Sequence, residues 1–264
     1  MSGQRKDGTA PHLEQSKRQE RAQRILDAAA ELIQRWGYNK TTIDDIAKQA
    51  GVAKGTIYLH WKTREDLFSA LLVREKLALA EDIKQRIASD PEGSTLHGMM
   101  KHSTLALMKN PLMKALVLND IDILGEWARR GYSSANYEER ITNYKLFLEF
   151  LRNHGLVRID VGIREEIYIL SAICWGFLLI DPVMPGEFKF SDEEIVEMLA
   201  ETVKRTFEPR DTATGKEIDA GTLQEVSNAF NQYFDQAVNA IKEDVQKEVG
   251  FGLVGFNKRD LPAV

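Results

Sequence analysis

The chain has 264 residues, 43% of them hydrophobic and 28% charged, a composition that excludes disordered and fibrous classes and suffices for two domains with packed cores. The net charge of -5 excludes a uniformly basic coat, but residues 1–64 carry 12 Lys+Arg against 7 Asp+Glu while the remainder carries 23 against 33. A local basic face on an acidic body attracts phosphate at one end and discourages adhesion elsewhere.

The first residues, Met1 to Gln15, are polar and lack the apolar middle of a signal peptide. The first helical pattern places Ile25, Ala29, Leu32, Ile33 and Trp36 on one face and stops at Gly37. Thr42 then caps a short second helix, with Asp45 completing a capping box and Ile43, Ile46, Ala47 and Ala50 facing inward. After the tight turn Gly51-Val52 a third short segment runs from Ala53 to Trp61 and buries Val52, Ile57 and Trp61. Thr63 and Asp66 start a long helix with Leu67, Phe68, Leu71, Leu72 and Leu79 as its apolar face, reaching Ile87 before Asp90-Pro91.

Helix follows helix thereafter, at about Thr95–Asn110, Leu112–Arg130, Ser134–His154, Arg164–Ile180 and Ser191–Phe207, so the fold class is all-α. Ile167 to Ile180 is the longest uncharged run, too short for the roughly 20 residues of a membrane span, and reads as a buried helix. Glu165-Glu166 and Asp192 to Glu194 read as solvated carboxylates at helix starts. Past Pro209 a polar break leads to an amphipathic segment, capped by Thr222 and Glu225, with Leu223, Val226, Phe230, Phe234, Ala237, Ile241 and Val245 on one face; it needs the body or a second subunit to bury that face. The division expected is a flexible arm at 1–17, a helix-turn-helix domain at 18–64, a helical ligand-binding and dimerisation domain at 65–209, and an added helix and tail at 210–264.

Chemistry concentrates in the third segment. Two short helices joined by a tight glycine turn and braced by a preceding helix present the last one to the major groove of duplex DNA. It would offer Lys54, Gly55, Thr56, Tyr58, His60 and, just past its end, Lys62. Lys54 and Lys62 suit phosphates, the hydroxyls of Thr42, Thr56 and Tyr58 suit phosphate oxygens, and Gly55 removes a side chain where the backbone must come close. His60 is equally well read as a solvent-facing helix residue.

The stretch TTIDDIAKQAGVAKGTIYLHWKTREDLFSALL, Thr41 to Leu72, resembles the signature of TetR-family DNA-binding regulators. It matches in the threonine pair, in Ala47, Ala50, Gly51 and Val52, in Lys54 to Tyr58, in Trp61 and Lys62, and in the E-D-L-F that opens the linking helix. The resemblance implies DNA contacts from Thr42, Lys54, Thr56, Tyr58, His60 and Lys62, and a dimer interface from the helices near 164–180 and 191–207, with Ile173, Phe177, Ile180, Ile195 and Leu199 as candidates. It also implies a small-molecule pocket in the body whose occupation moves the linking helix and releases an operator. The chain departs from the pattern at Ala53, where serine is usual, and in the helix after Pro209.

Met99, Met100, His102, Met113, Trp127, Tyr144, Phe147, Tyr168 and Trp175 are the candidate pocket residues, and they call for an apolar or aromatic effector. His97 and His102 stand five residues apart, about 140° round a helix, so no metal or other cofactor is expected. Cys174 reads as inert packing, and a single cysteine without an export signal points to the cytoplasm with no membrane contact. Gly250, Gly252 and Gly255 spell a dinucleotide-loop motif without the strand and helix it requires. No nucleophile, phosphate loop or metal set supports an enzyme. The expected function is a homodimeric repressor on a double-stranded operator; the alternative is an activator or dual regulator using the C-terminal helix to bind a partner.

Overall fold

The computed structural model describes residues 9–125, 134–209, 221–222, 224–232, 235–236 and 239, with side chains from Glu14 onward and, in the helix at 134–153, those of Thr142 and of Tyr144 onward. The described residues are helical with no strand: α1 (Thr9–Trp36), α2 (Ile43–Ala50), α3 (Lys54–His60), α4 (Arg64–Ser89), α5 (Leu96–Met108), α6 (Pro111–Val117), α7 (Ile121–Leu124), α8 (Ser134–Asn153), α9 (Ile163–Leu179) and α10 (Asp192–Phe207). They fall into two compact units. One comprises 9–75 with 119–125, the other 76–118, 134–209 and the described part of 221–239. α4 changes unit between Glu75 and Lys76, beyond the expected boundary at 64.

In the first unit α1 starts at Thr9, so residues 9–17, expected as an arm, are helical. Ile25, Ala29, Leu32 and Ile33 are buried as their spacing requires, but Trp36 is 48% exposed at the helix end. The helix expected over Leu112–Arg130 is broken. Asn119 takes a left-handed conformation (φ 53), and the Asp120 side chain then accepts from the amides of Asp122 and Ile123 at 3.0 and 3.1 Å, starting α7. Asparagine tolerates that conformation and aspartate caps the short helix after it, so a continuous apolar pattern conceals a turn. α7 seals the end of α1. The Tyr38 amide donates to the Ile123 carbonyl at 2.6 Å, and at Gly37 (φ 77) a β-carbon would stand 2.4 Å from the Asp122 carbonyl oxygen, a contact only glycine permits.

In the second unit α10 lies against α5 and α9, and Met99, Phe147, Leu148, Leu151, Leu170, Leu199, Val203 and Phe207 form the centre of its core. Ser191 and Glu194 cap α10 reciprocally, as the sequence predicts. Glu166 departs from expectation: it is buried, not solvated. The Arg152 guanidinium reaches it only at 3.6 Å, and burial pushes its carboxyl above the ordinary range. α9 also departs, because Tyr168 is 77% exposed and Trp175, Leu179 and Ile180 are exposed with it; only one side of the uncharged run is buried. No helix among the described residues is long and apolar enough to cross a membrane.

The C-terminal helix packs on this same core. Val226 and Phe230 are buried in it, the Phe230 ring stands edge-on to Phe147 at 5.8 Å, and Asp235 pairs with Lys84 at 2.9 Å. Leu223, Phe234, Ala237, Ile241, Val245 and the glycines at 250, 252 and 255 lie outside the described residues. Phe230→Ala should therefore lower unfolding stability by about 3–5 kcal/mol, measured from the urea midpoint of the full chain; a change below about 1 kcal/mol would show that this helix is not part of the core.

Candidate nucleic-acid interface

The reading head is assembled from caps and one buried isoleucine. Thr42 closes its capping box with Asp45, accepting from the Asp45 amide at 3.2 Å while its own amide and hydroxyl donate to the Asp45 carboxylate. Those bonds hold the Asp45 carboxyl below its ordinary range. Gly51 ends α2 in the left-handed region (φ 65), its amide donating to the carbonyls of Ala47 and Lys48, and the chain reaches α3 three residues later. α3 has no side-chain cap because position 53 is alanine, so its anchorage rests on Ile57, which is 1% exposed. Thr63 and Asp66 cap α4 reciprocally at 3.0 Å each.

A second cluster fixes the α1–α2 connection. The Thr41 hydroxyl donates to the Gly37 carbonyl at 2.9 Å, and the Arg64 guanidinium donates to the Tyr38 carbonyl. The same guanidinium lies 4.0 Å from the Tyr38 ring centroid and 5.1 Å from that of Phe68. Nothing in the spacing of Tyr38 and Arg64 announces this contact.

With the frame set, Lys54, Gly55 and Tyr58 of α3 are exposed, as are Thr42 and Lys62 beside it, and Thr56 is half-buried. Lys54 is engaged by Asp44, Nζ to Oδ2 2.8 Å, and that hydrogen bond raises its pKa, so the side chain stays cationic. The Thr42 hydroxyl already serves its cap. His60 is turned toward α1: it is half-buried, its Nδ1 is buried without a partner, and burial followed by the charges of Arg18 and Arg21 lowers its pKa. That position suits a neutral packing group better than a groove contact. Leu59, absent from the predicted set because it is apolar, is 73% exposed on the same helix.

Around Gly55 a β-carbon would meet no atom within 4 Å, so nothing inside the chain requires glycine there. Gly55→Ala should leave the fold intact, raising stability by roughly 0.5–1 kcal/mol, yet cut affinity for a selected duplex at least tenfold; unchanged affinity would show that the backbone makes no close approach. For His60 the sign follows from its depressed pKa. Below the ordinary 6.5 the unfolded ring binds a proton that the folded ring resists, so its stabilisation is complete above that value and is lost as pH falls. Moving from pH about 7.5 to about 5.5, the wild type should lose more urea stability than His60→Gln; equal losses would sink this assignment.

The expected effector residues differ in burial. Met99, Phe147 and Met113 are buried, His102 is buried with Nε2 2.8 Å from Asp90 Oδ2, and Tyr168 and Trp175 are exposed; Trp127 lies outside the described residues. Met100 and Tyr144 are half-buried against the core with Ile173, Cys174 and Phe177. The Met100 sulfur is 3.9 Å from Cys174 Sγ, and burial pushes the thiol up to about 11. The second unit carries a charged cleft of about 310 Å³, lined by Asp90, Glu92, Lys101, Glu197, Glu201 and Lys204 among others. Of the expected interface residues Ile180 is exposed and Ile173 and Phe177 are half-buried, whereas Ile195 and Leu199 face the core.

A family model described as bacterial regulatory proteins, tetR family, matches residues 25–71. Over 161 residues the chain is 34% identical to the HTH-type transcriptional regulator SrpR of Pseudomonas putida, covering 61% of this chain and 74% of that protein. The chain belongs to the TetR family of transcriptional regulators. The fatty acid metabolism regulator protein of Bacillus subtilis (strain 168) is 46% identical over 67 residues, 24% of this chain and 34% of that one; the chain spans about a third to a half of the length of this relative and of the regulator AcrR of Shigella flexneri. In fold it is similar to a solved SmeT–triclosan complex, with a TM-score of 0.52, 19% identity, and coverage of 72% of this chain and 93% of that one.

Proposed function

We propose that this regulator is a homodimeric repressor which reads a near-palindromic operator through α3 and leaves it when a small apolar or aromatic ligand binds the second unit. The observation that carries the DNA reading is the outward side of α3, where Lys54, Gly55 and Tyr58 are exposed around a backbone with open space before it. Occupying a promoter duplex is enough to repress, whereas activation needs a further protein contact. Val226 and Phe230 of the C-terminal helix are buried in the core, which favours a structural role for it over partner binding.

Dimerisation is supported by the apolar side of α9 and the segment after it, where Tyr168, Trp175, Leu179, Ile180, Val183 and Phe188 are exposed; a patch of this kind marks an association surface. Two copies joined there by a two-fold axis would match a two-fold operator. The apolar ligand is supported by Met100, Tyr144, Cys174 and Phe177, soft half-buried groups packed against the core, which methionine's flexibility allows to part. SmeT, similar in fold, is a triclosan complex.

Selecting duplexes from a random pool with the full chain tests the reading, followed by affinity measured against salt concentration. A two-fold consensus, two chains per duplex and a steep salt slope are expected. Lys54→Ala should reduce the slope by about 1 without changing sequence preference. Release by triclosan but not by choline supports the apolar site; release by choline alone would assign the effector to the charged cleft, and an affinity indifferent to salt would overturn the phosphate contacts.

A further inference from the structure

We infer that Leu59 reads the operator directly, by apolar contact with the C5-methyl group of a thymine in the major groove. The inference rests on the placement of α3 against DNA and adds a residue that recognition by charge and hydroxyl leaves out. At 3.6 residues per turn, Gly55 and Leu59 lie two positions before and two after the buried Ile57, each about 160° round the helix from it. They therefore share the line of the helix farthest from the core, spaced i to i+4 so that one stands above the other. Lys54 and Tyr58 stand to one side of that line, and Thr56 and His60 to the other.

The surface agrees with the register. Leu59 is 73% exposed, more than Trp36, Tyr58 and Ile121, the other exposed large apolar residues described in this unit. The Arg18 guanidinium from α1 meets its carbonyl at 3.4 Å, holding the C-terminal end of α3 while the side chain projects away. Gly55 in front of it offers no side chain, and a β-carbon there would have open space. A helix laid in the groove along this line touches base edges first with a bare backbone and then with two leucine methyls. In the major groove the thymine methyl is the apolar feature that sets its base pair apart; the other groups there are hydrogen-bond donors and acceptors that leucine cannot use.

The test is a cycle between one protein side chain and one DNA methyl group. With the duplex selected by the full chain, each thymine of a half-site is replaced singly by deoxyuridine, which lacks only the C5-methyl, and affinities are measured for the wild type and for Leu59→Ala. One or two thymines should cost the wild type about fourfold, the effect of one buried methyl-sized group, and cost Leu59→Ala less than about half as much on the same scale. Thermal melting should be the same for the two proteins because Leu59 touches no core. A consensus without thymine beneath the reading helices, no sensitive thymine, or equal sensitivity in the two proteins would overturn the inference. Lys54→Ala on the same duplex separates the causes: if it lowers the salt slope while the Leu59 cycle is null, only the leucine contact falls, and if neither substitution alters binding, the placement of α3 falls with it.

Discussion

A seven-residue helix does not persist in water, since nucleation costs more than so few hydrogen bonds return. α3 exists because Ile57 is buried and because Gly51 turns the chain sharply enough to bring it onto α2. That single anchorage sets everything the head presents. Once Ile57 points inward, the helical repeat alone decides that Gly55 and Leu59 face outward, that Lys54 and Tyr58 stand together on one side of them, and that His60 turns back toward α1.

The head was legible because its signals are local. Thr42 with Asp45, Gly51, and the uncapped Ala53 each determine a few backbone groups within the same stretch of chain, and the structure has each where the spacing puts it. Elsewhere the reading failed for two reasons, a local signal outweighed by its surroundings or a neighbour distant in sequence. The start of α1 lacks a capping pattern, yet Glu, Gln, Lys and Arg are good helix formers and extend it to Thr9. Asn119-Asp120 is a strong turn hidden in an apolar pattern that favours continuation. Tyr38 and Arg64 meet only once α1, α2 and α4 are assembled.

The second unit was less legible for a related reason. Periodicity tells which residues are apolar, not which of two apolar sides meets the core. On α9 both sides are apolar, so Trp175 and Tyr168, expected in a pocket, stand exposed, while Leu170 and Leu178 are the ones buried. On α10 the opposite holds: Ile195 and Leu199, expected at an interface, fill the core. Glu166 shows the same limit for charge, because a carboxylate in the first turn of a helix suits the dipole whether or not the rest of the fold covers it.

The seal between Gly37 and α7 bears on how the protein is made. The carbonyls of Asp122 and Ile123 that close the end of α1 come from a stretch some eighty residues downstream of Gly37, so the head is not a contiguous piece of chain. On the ribosome, where domains tend to fold as units as they emerge, the reading helices are out long before the residues that lock their base. The head completes itself only after α4, α5 and α6 have been synthesised, and a nascent chain stalled before Gly125 carries a recognition helix whose supporting helix still has an open end.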